Sequence, residues 1–92
     1  MRFEWDEEKN IKNQKKHKVS FETASLVFED TNYIEMYDFV HSYDEDRFIA
    51  IGKVNDVLFV VFTERGEKIR LISARIADEN ERRLYYDNIL HY

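Results

Sequence analysis

Six apolar residues in a row, Val57-Leu-Phe-Val-Val-Phe62, constrain this chain more than any other stretch. An unbroken apolar run of this length reads as a central strand covered on both faces. Its flanks turn over quickly: Asn55-Asp56 makes a tight turn before it, and Thr63 to Glu67 turns through Gly66 after it. Arg47 to Val54 and Lys68 to Ile76 then supply strands on either side, and Tyr33 to Val40 alternates imperfectly like a strand with one wet face. Residues 41–46, His-Ser-Tyr-Asp-Glu-Asp, form an acidic loop.

The chain on both sides of this block is helical. Asp6 is placed to cap a first helix that runs to about Lys16, with Glu7 and Glu8 at its positive end. That helix is strongly polar, with Ile11 as its main apolar contact, so it belongs on the surface. Ser20 caps a second helix in which Phe21, Ala24, Val27 and Phe28 share a face, although Thr23 leaves its capping box incomplete. Asp78, three residues before Glu81, opens a C-terminal helix to about Leu90. Arg2-Phe-Glu-Trp5 alternates over a short span and suits a brief edge strand or an anchoring segment. The expected fold is therefore α+β: two N-terminal helices, a four-stranded antiparallel meander and a C-terminal helix, in one domain over residues 1–92.

Ninety-two residues bury a core near the lower limit for folding without staples. Seven Phe, six Tyr and one Trp raise the area buried per residue. No cysteine is present, so disulfides and thiolate metal sites are excluded and a reducing, cytoplasmic setting is expected. The N-terminus has no apolar signal region and no run reaches membrane-spanning length, which points away from a membrane. A net charge of −5 argues against a generic nucleic-acid binder. The charge is uneven, however: Met1–Lys18 carries +2, Glu29–Asp46 carries −7 with no Lys or Arg, and Arg47–Arg83 carries +2. A local positive face remains open.

That face would come from Arg65, Lys68, Arg70 and Arg75. Arginine holds its charge and presents a planar fork to carboxylate or phosphate, so such a cluster beside buried strands suggests anion recognition. Strict alternation along the last strand puts Arg70 and Arg75 on opposite faces unless a bulge intervenes, leaving Arg65 with one of the two to meet a phosphate. The blander alternative pairs these arginines with acids such as Glu64 or Glu81. Metal-free phosphodiester cleavage needs a base for the 2′-hydroxyl, a cation for the developing charge and a donor to the leaving oxygen. His17, beside Lys15, Lys16 and Lys18, is the histidine best placed for a base or for a solvated basic corner. His41, among acids, is the weaker base candidate because its charged form is favoured there, and His91 is expected to fray at the terminus. Tyr85 and Tyr86 could reach a substrate base, although their helix is chiefly a packing element. The histidines have no metal-ligand spacing, the acids form no calcium loop, and the two glycines form no phosphate loop, so neither metal nor cofactor is expected.

The motifs taken together resemble a known family. Phe3-Glu-Trp-Asp6, Asn13-x-x-Lys16-His17-x-Val19-Ser20-Phe21 and Ala24 with Val27-Phe28-x-Asp30 are similar to the opening of the BrnT toxins. His41-Ser42, Glu45-x-Arg47-Phe48 and Ile51-Gly52 are similar to its middle. Val60-Val61-x-Thr63-Glu64-Arg65-Gly66, Ile69-Arg70-x-Ile72-Ser73-Ala74-Arg75 and Glu81-Arg82-x-x-Tyr85 are similar to its close. The resemblance spans nearly the whole chain in order. It implies a RelE-like, metal-independent endoribonuclease that slows growth by cutting RNA. It also implies a BrnA-type antitoxin with a ribbon-helix-helix part, a heterotetramer, and DNA contact only through that antitoxin. The family's site residues map onto Lys16, His17, Glu64, Arg65, Arg70, Arg75 and Tyr85; Lys16, with Lys68 added, is an RNA contact and the others are catalytic. Proton transfer falls to His17 or Glu64. One departure is Lys18, where relatives commonly carry glycine; a left-handed residue there would cost about 1 kcal/mol, so this turn is expected to differ. The competing reading is a non-catalytic module that docks an acidic protein on the same arginine face.

Overall fold

The computed structural model describes residues 1–90, so the expectation for His91 lies outside the described residues. The chain runs β1 (Arg2–Glu4), α1 (Glu7–His17), α2 (Phe21–Ser25), a 3₁₀ turn (Leu26–Glu29), β2 (Ile34–Tyr37), β3 (Phe48–Val54), β4 (Asp56–Arg65), β5 (Lys68–Ile76) and α3 (Glu79–Leu90). The expected α+β order holds, but the sheet has five strands and is mixed, in the order β1-β5-β4-β3-β2. The four-stranded antiparallel meander is β2 to β5; the correction is β1, which adds as a parallel edge with Phe3 beside Ile69 and Glu4 beside Arg70. Phe3 packs against the main core, so the short N-terminal segment gains burial by joining this edge. Among the described residues no helix is long and apolar enough to cross a membrane.

Local chemistry sets the element ends as the sequence predicts. The Asp6 carboxylate accepts from the Glu8 and Lys9 amides, and Ser20 Oγ accepts from the Thr23 amide. Asp78 and Glu81 form a reciprocal capping box, each side chain accepting from the other's amide at 2.8 Å. Lys18 closes α1 in the left-handed conformation at φ 62°, so the turn that glycine would favour is kept in spite of the lysine. Asn55 and Gly66, also at φ 62°, turn the two hairpins.

Helix α1 is held differently from the expectation. Ile11 is 47% exposed and is not its anchor; Asn10 and Asn13 are buried instead. Asn10 accepts from the Phe21 amide through its carbonyl and donates to Glu22, tying α1 to the start of α2. The Asn13 amide donates to the carbonyls of Val19 and Ala74 and accepts from the Ala74 N–H. Strand β1 stops pairing with β5 at Arg70, so Asn13 satisfies the β5 edge beyond that point, as a further strand would.

Two layers cover the sheet. Phe21, Ala24 and Val27, all fully buried, pack from α2 and the 3₁₀ turn onto Ala50, Val60, Phe62 and Leu71. Gly52 permits this close approach, because a Cβ there would lie 2.7 Å from Val27 Cγ1 and 2.9 Å from Tyr33 Cβ. On the opposite face Tyr85 and Ala77 pack with Ile51 and Val57, covering the part of the sheet nearest α3. The central strand is thus covered on both faces over its first half, as its apolar run requires.

Candidate functional site

The half of the sheet that α3 leaves open carries the charged cluster, and a bulge assembles it. Going along β4, Val61 faces Ser73 but Phe62 faces Leu71, so Ile72 is an extra residue in β5. One extra residue reverses the alternation beyond it. Arg75 and Ser73 pair with Phe59 and Val61; past the bulge Arg70 pairs with Thr63 and Lys68 with Arg65. Because β4 alternates without interruption, all of these lie on one face. Arg65, Lys68, Arg70 and Arg75 therefore share the face that simple alternation divides, and the expected separation of Arg70 from Arg75 is corrected.

Each arginine meets a glutamate. Arg70 Nη1 donates to Glu4 Oε2 at 2.7 Å, with both side chains under a third exposed. Arg65 Nη2 lies 3.5 Å from Glu45 Oε2 and is half exposed. Arg75 binds Glu81 in bidentate fashion, both bonds 2.8 Å, and its guanidinium lies 4.1 Å from the centre of the Phe59 ring. The Glu81 bonds raise the Arg75 pKa further above its ordinary value, against a smaller opposing effect of burial. Arg75 thus holds the same Glu81 carboxylate that serves the α3 capping box, which makes Arg75 part of the framework. Lys68 is exposed and has no carboxylate within ion-pair distance among the described residues.

The other expected site residues lie elsewhere. Glu64 alternates away from Thr63 and Arg65 and borders a shallow pocket with Glu45, Asp46 and Phe48. Lys16 and His17 occupy the last turn of α1, His17 one turn beyond Asn13, and among the described residues His17 makes no side-chain hydrogen bond or ion pair. Tyr85 is buried, 2% exposed, and its hydroxyl donates to Asp30 Oδ2 at 2.5 Å. Burial and the Asp30 carboxylate together push the phenol pKa well above its ordinary value. Burial works to raise Asp30, but the bonds from Tyr85 and from the Lys53 and Asn32 amides outweigh it and hold the carboxyl below its ordinary value. Tyr85 thus joins α3 to the loop before β2 and to β3. His41 pairs with Asp38, Nδ1 to Oδ2 3.0 Å, in the loop between β2 and β3. Among the described residues no three His, Cys, Asp or Glu side chains are grouped to hold a metal ion.

Glu4 is the residue on this face that sequence reasoning missed as a site candidate. Its alternation within Arg2–Trp5 was visible, but its neighbour Arg70 lies 66 residues away. No curated protein sequence matches the chain. A family model for ribonuclease toxins of the BrnT type, from type II toxin–antitoxin systems, matches residues 5–81. With that match over most of its length, the chain belongs to the BrnT family of ribonuclease toxins.

Proposed function

We propose that the open half of the sheet binds an RNA backbone, with Arg65, Lys68 and Arg70 on its phosphates, and cuts it without a metal. The observation that carries this reading is the bulge-aligned row of cations on the part of the sheet face that α3 leaves open. Three cationic donors there would stabilise the charge that develops on a phosphorane. In the cleavage step the 2′-oxygen attacks phosphorus, the 2′-proton passes to a carboxylate, and the 5′-oxygen leaves with a proton. Glu4 is the carboxylate best placed to accept: a phosphate that takes its place on Arg70 frees it beside the bound sugar. Lys68 supplies the donor to the leaving oxygen. Lys16 and His17 stand apart at the end of α1, Glu64 stays outside the reacting centre, and Arg75 and Tyr85 hold the framework.

The protein partner, on this reading, is a BrnA-type antitoxin with a ribbon-helix-helix part. The two chains form a heterotetramer that reaches DNA only through the antitoxin, and the toxin acts in the cytoplasm. A second reading, a binding module for an acidic protein, draws support from the three glutamates already seated on the arginines. Cleavage of RNA in the presence of chelator decides between them. Arg70→Ala is expected to lower the rate by about 10²–10³-fold, while Arg75→Ala lowers the melting temperature. Cleavage unchanged in Arg65→Ala plus Arg70→Ala removes the assigned site. No cleavage of any RNA, with tight binding of an acidic protein, favours the module.

A further inference from the structure

The loop between β2 and β3 displays apolar side chains in an unusual setting. Phe39, Val40 and Tyr43 are 85%, 68% and 83% exposed, three large apolar residues within five positions. The other strongly exposed apolar residues are scattered along the chain, as surface residues ordinarily are. The loop is braced. Ser42 Oγ donates to the Asp38 carbonyl at 2.6 Å and accepts from the Arg47 amide at 2.9 Å, and Thr63 Oγ1 donates to the Asp46 carbonyl at 2.6 Å. The Tyr37 hydroxyl holds the Asp46 carboxylate at 2.8 Å. A loop fixed in this way presents its aromatic groups to solvent at a continuing hydration cost, which is the character of an interaction surface.

Charge selects the occupant. Asp44, Glu45 and Asp46 follow Tyr43 directly, within the segment Glu29–Asp46 that carries −7. RNA stacked on Phe39 and Tyr43 would bring its phosphates against these carboxylates, so the loop disfavours nucleic acid. A protein segment in which lysine or arginine alternates with apolar side chains fits both features. Glu45 also pairs with Arg65, so the loop borders the cationic face. We propose that the antitoxin anchors a basic, apolar-studded segment on Phe39, Val40 and Tyr43, and from there covers the arginine face. The proposal rests on the toxin reading for the identity of the partner.

The test uses calorimetry of the full chain with a purified small ribbon-helix-helix protein of the BrnA type, in parallel with RNA cleavage. Val40→Ser plus Tyr43→Ser is expected to weaken binding at least about tenfold, with cleavage unchanged. Asp44→Lys, an exposed change that leaves the loop's bracing intact, is expected to weaken binding at low salt and to flatten its salt dependence. Unchanged affinity in both variants overturns the proposal, as does failure of that small protein to bind the wild type. Loss of cleavage with binding intact overturns it too, and assigns the aromatics to base stacking. Loop-dependent binding by a chain that cuts no RNA upholds the docking surface while removing the nuclease reading.

Discussion

Tyr85→Phe separates a framework role from a catalytic one. The substitution removes one hydroxyl and leaves the ring packed beside Tyr86. Among the described residues Asp30 then keeps its two amide donors, from Lys53 at 2.8 Å and Asn32 at 2.9 Å. A hydrogen bond to a charged group contributes about 1.5–3 kcal/mol, and burial of Tyr85 limits replacement by water. A loss of about 2 kcal/mol in a domain of this size lowers the melting temperature by about 8–16 °C. The loss depends on pH in a defined way. Asp30 is held below its ordinary value of 3.8, so its contribution is present above that pH and fades as pH falls through the folded-state value. Tyr85 is held above its ordinary value of 10.0, so its contribution is present below that pH and fades as pH rises through the folded-state value. Wild type and variant should therefore differ most between about pH 5 and pH 9 and converge at either end. Thermal melts monitored by circular dichroism across this range measure the difference, with RNA cleavage assayed below the lower melting point. Cleavage should persist. An unchanged melting temperature with cleavage lost would refute the reasoning and place the phenol at the chemistry.

Two further substitutions probe the way α1 is held. Asn13→Ala strands the Ala74 amide and carbonyl on the β5 edge and should cost about 2–4 kcal/mol, visible as a lower midpoint in urea with little change in slope. A midpoint near that of wild type would show that water replaces the asparagine. Lys18→Gly relieves a side chain held at φ 62°; after the extra freedom glycine gives the unfolded chain, a net gain of about 0.5–1 kcal/mol is expected from the same measurement. A destabilised glycine variant would show that the Lys18 side chain contributes more than its backbone strain costs.

Much of this architecture was legible because its causes are local. Asp6, Ser20 and the Asp78–Glu81 box act over three residues, so their helix starts could be read directly. The apolar run of β4 announced its own burial, and Glu81 was already a candidate partner for Arg75. The parallel pairing of β1 was not legible, because Arg2–Glu4 and β5 are separated in sequence by two helices and three strands. Nor was the anchoring of α1, since Asn10 and Asn13 have the composition of a solvated helix face and become interior only where α2 and the β5 edge meet them. The Glu4–Arg70 contact was hidden for the same reason as the β1 pairing. Tyr85 matched a family position by type, while its working partner Asp30 lay 55 residues away.

The bulge shows why core and site were decided together. Phe62 and Val60, two apart on β4, point to the same covered face, and their partners Leu71 and Ala74 are three apart on β5. Both partners are almost fully buried, 2% and 1% exposed. An odd spacing between two core-facing residues on one strand requires an extra residue between them. Without Ile72 one of the pair would face the open side, at the cost of a buried apolar contact. The residue that keeps Leu71 in the core therefore also turns Arg70 outward, beside Arg65 and on the same face as Arg75. No glycine or proline marks it. The mark is the buried Leu71–Ala74 pair itself, and the cationic face follows from satisfying the core.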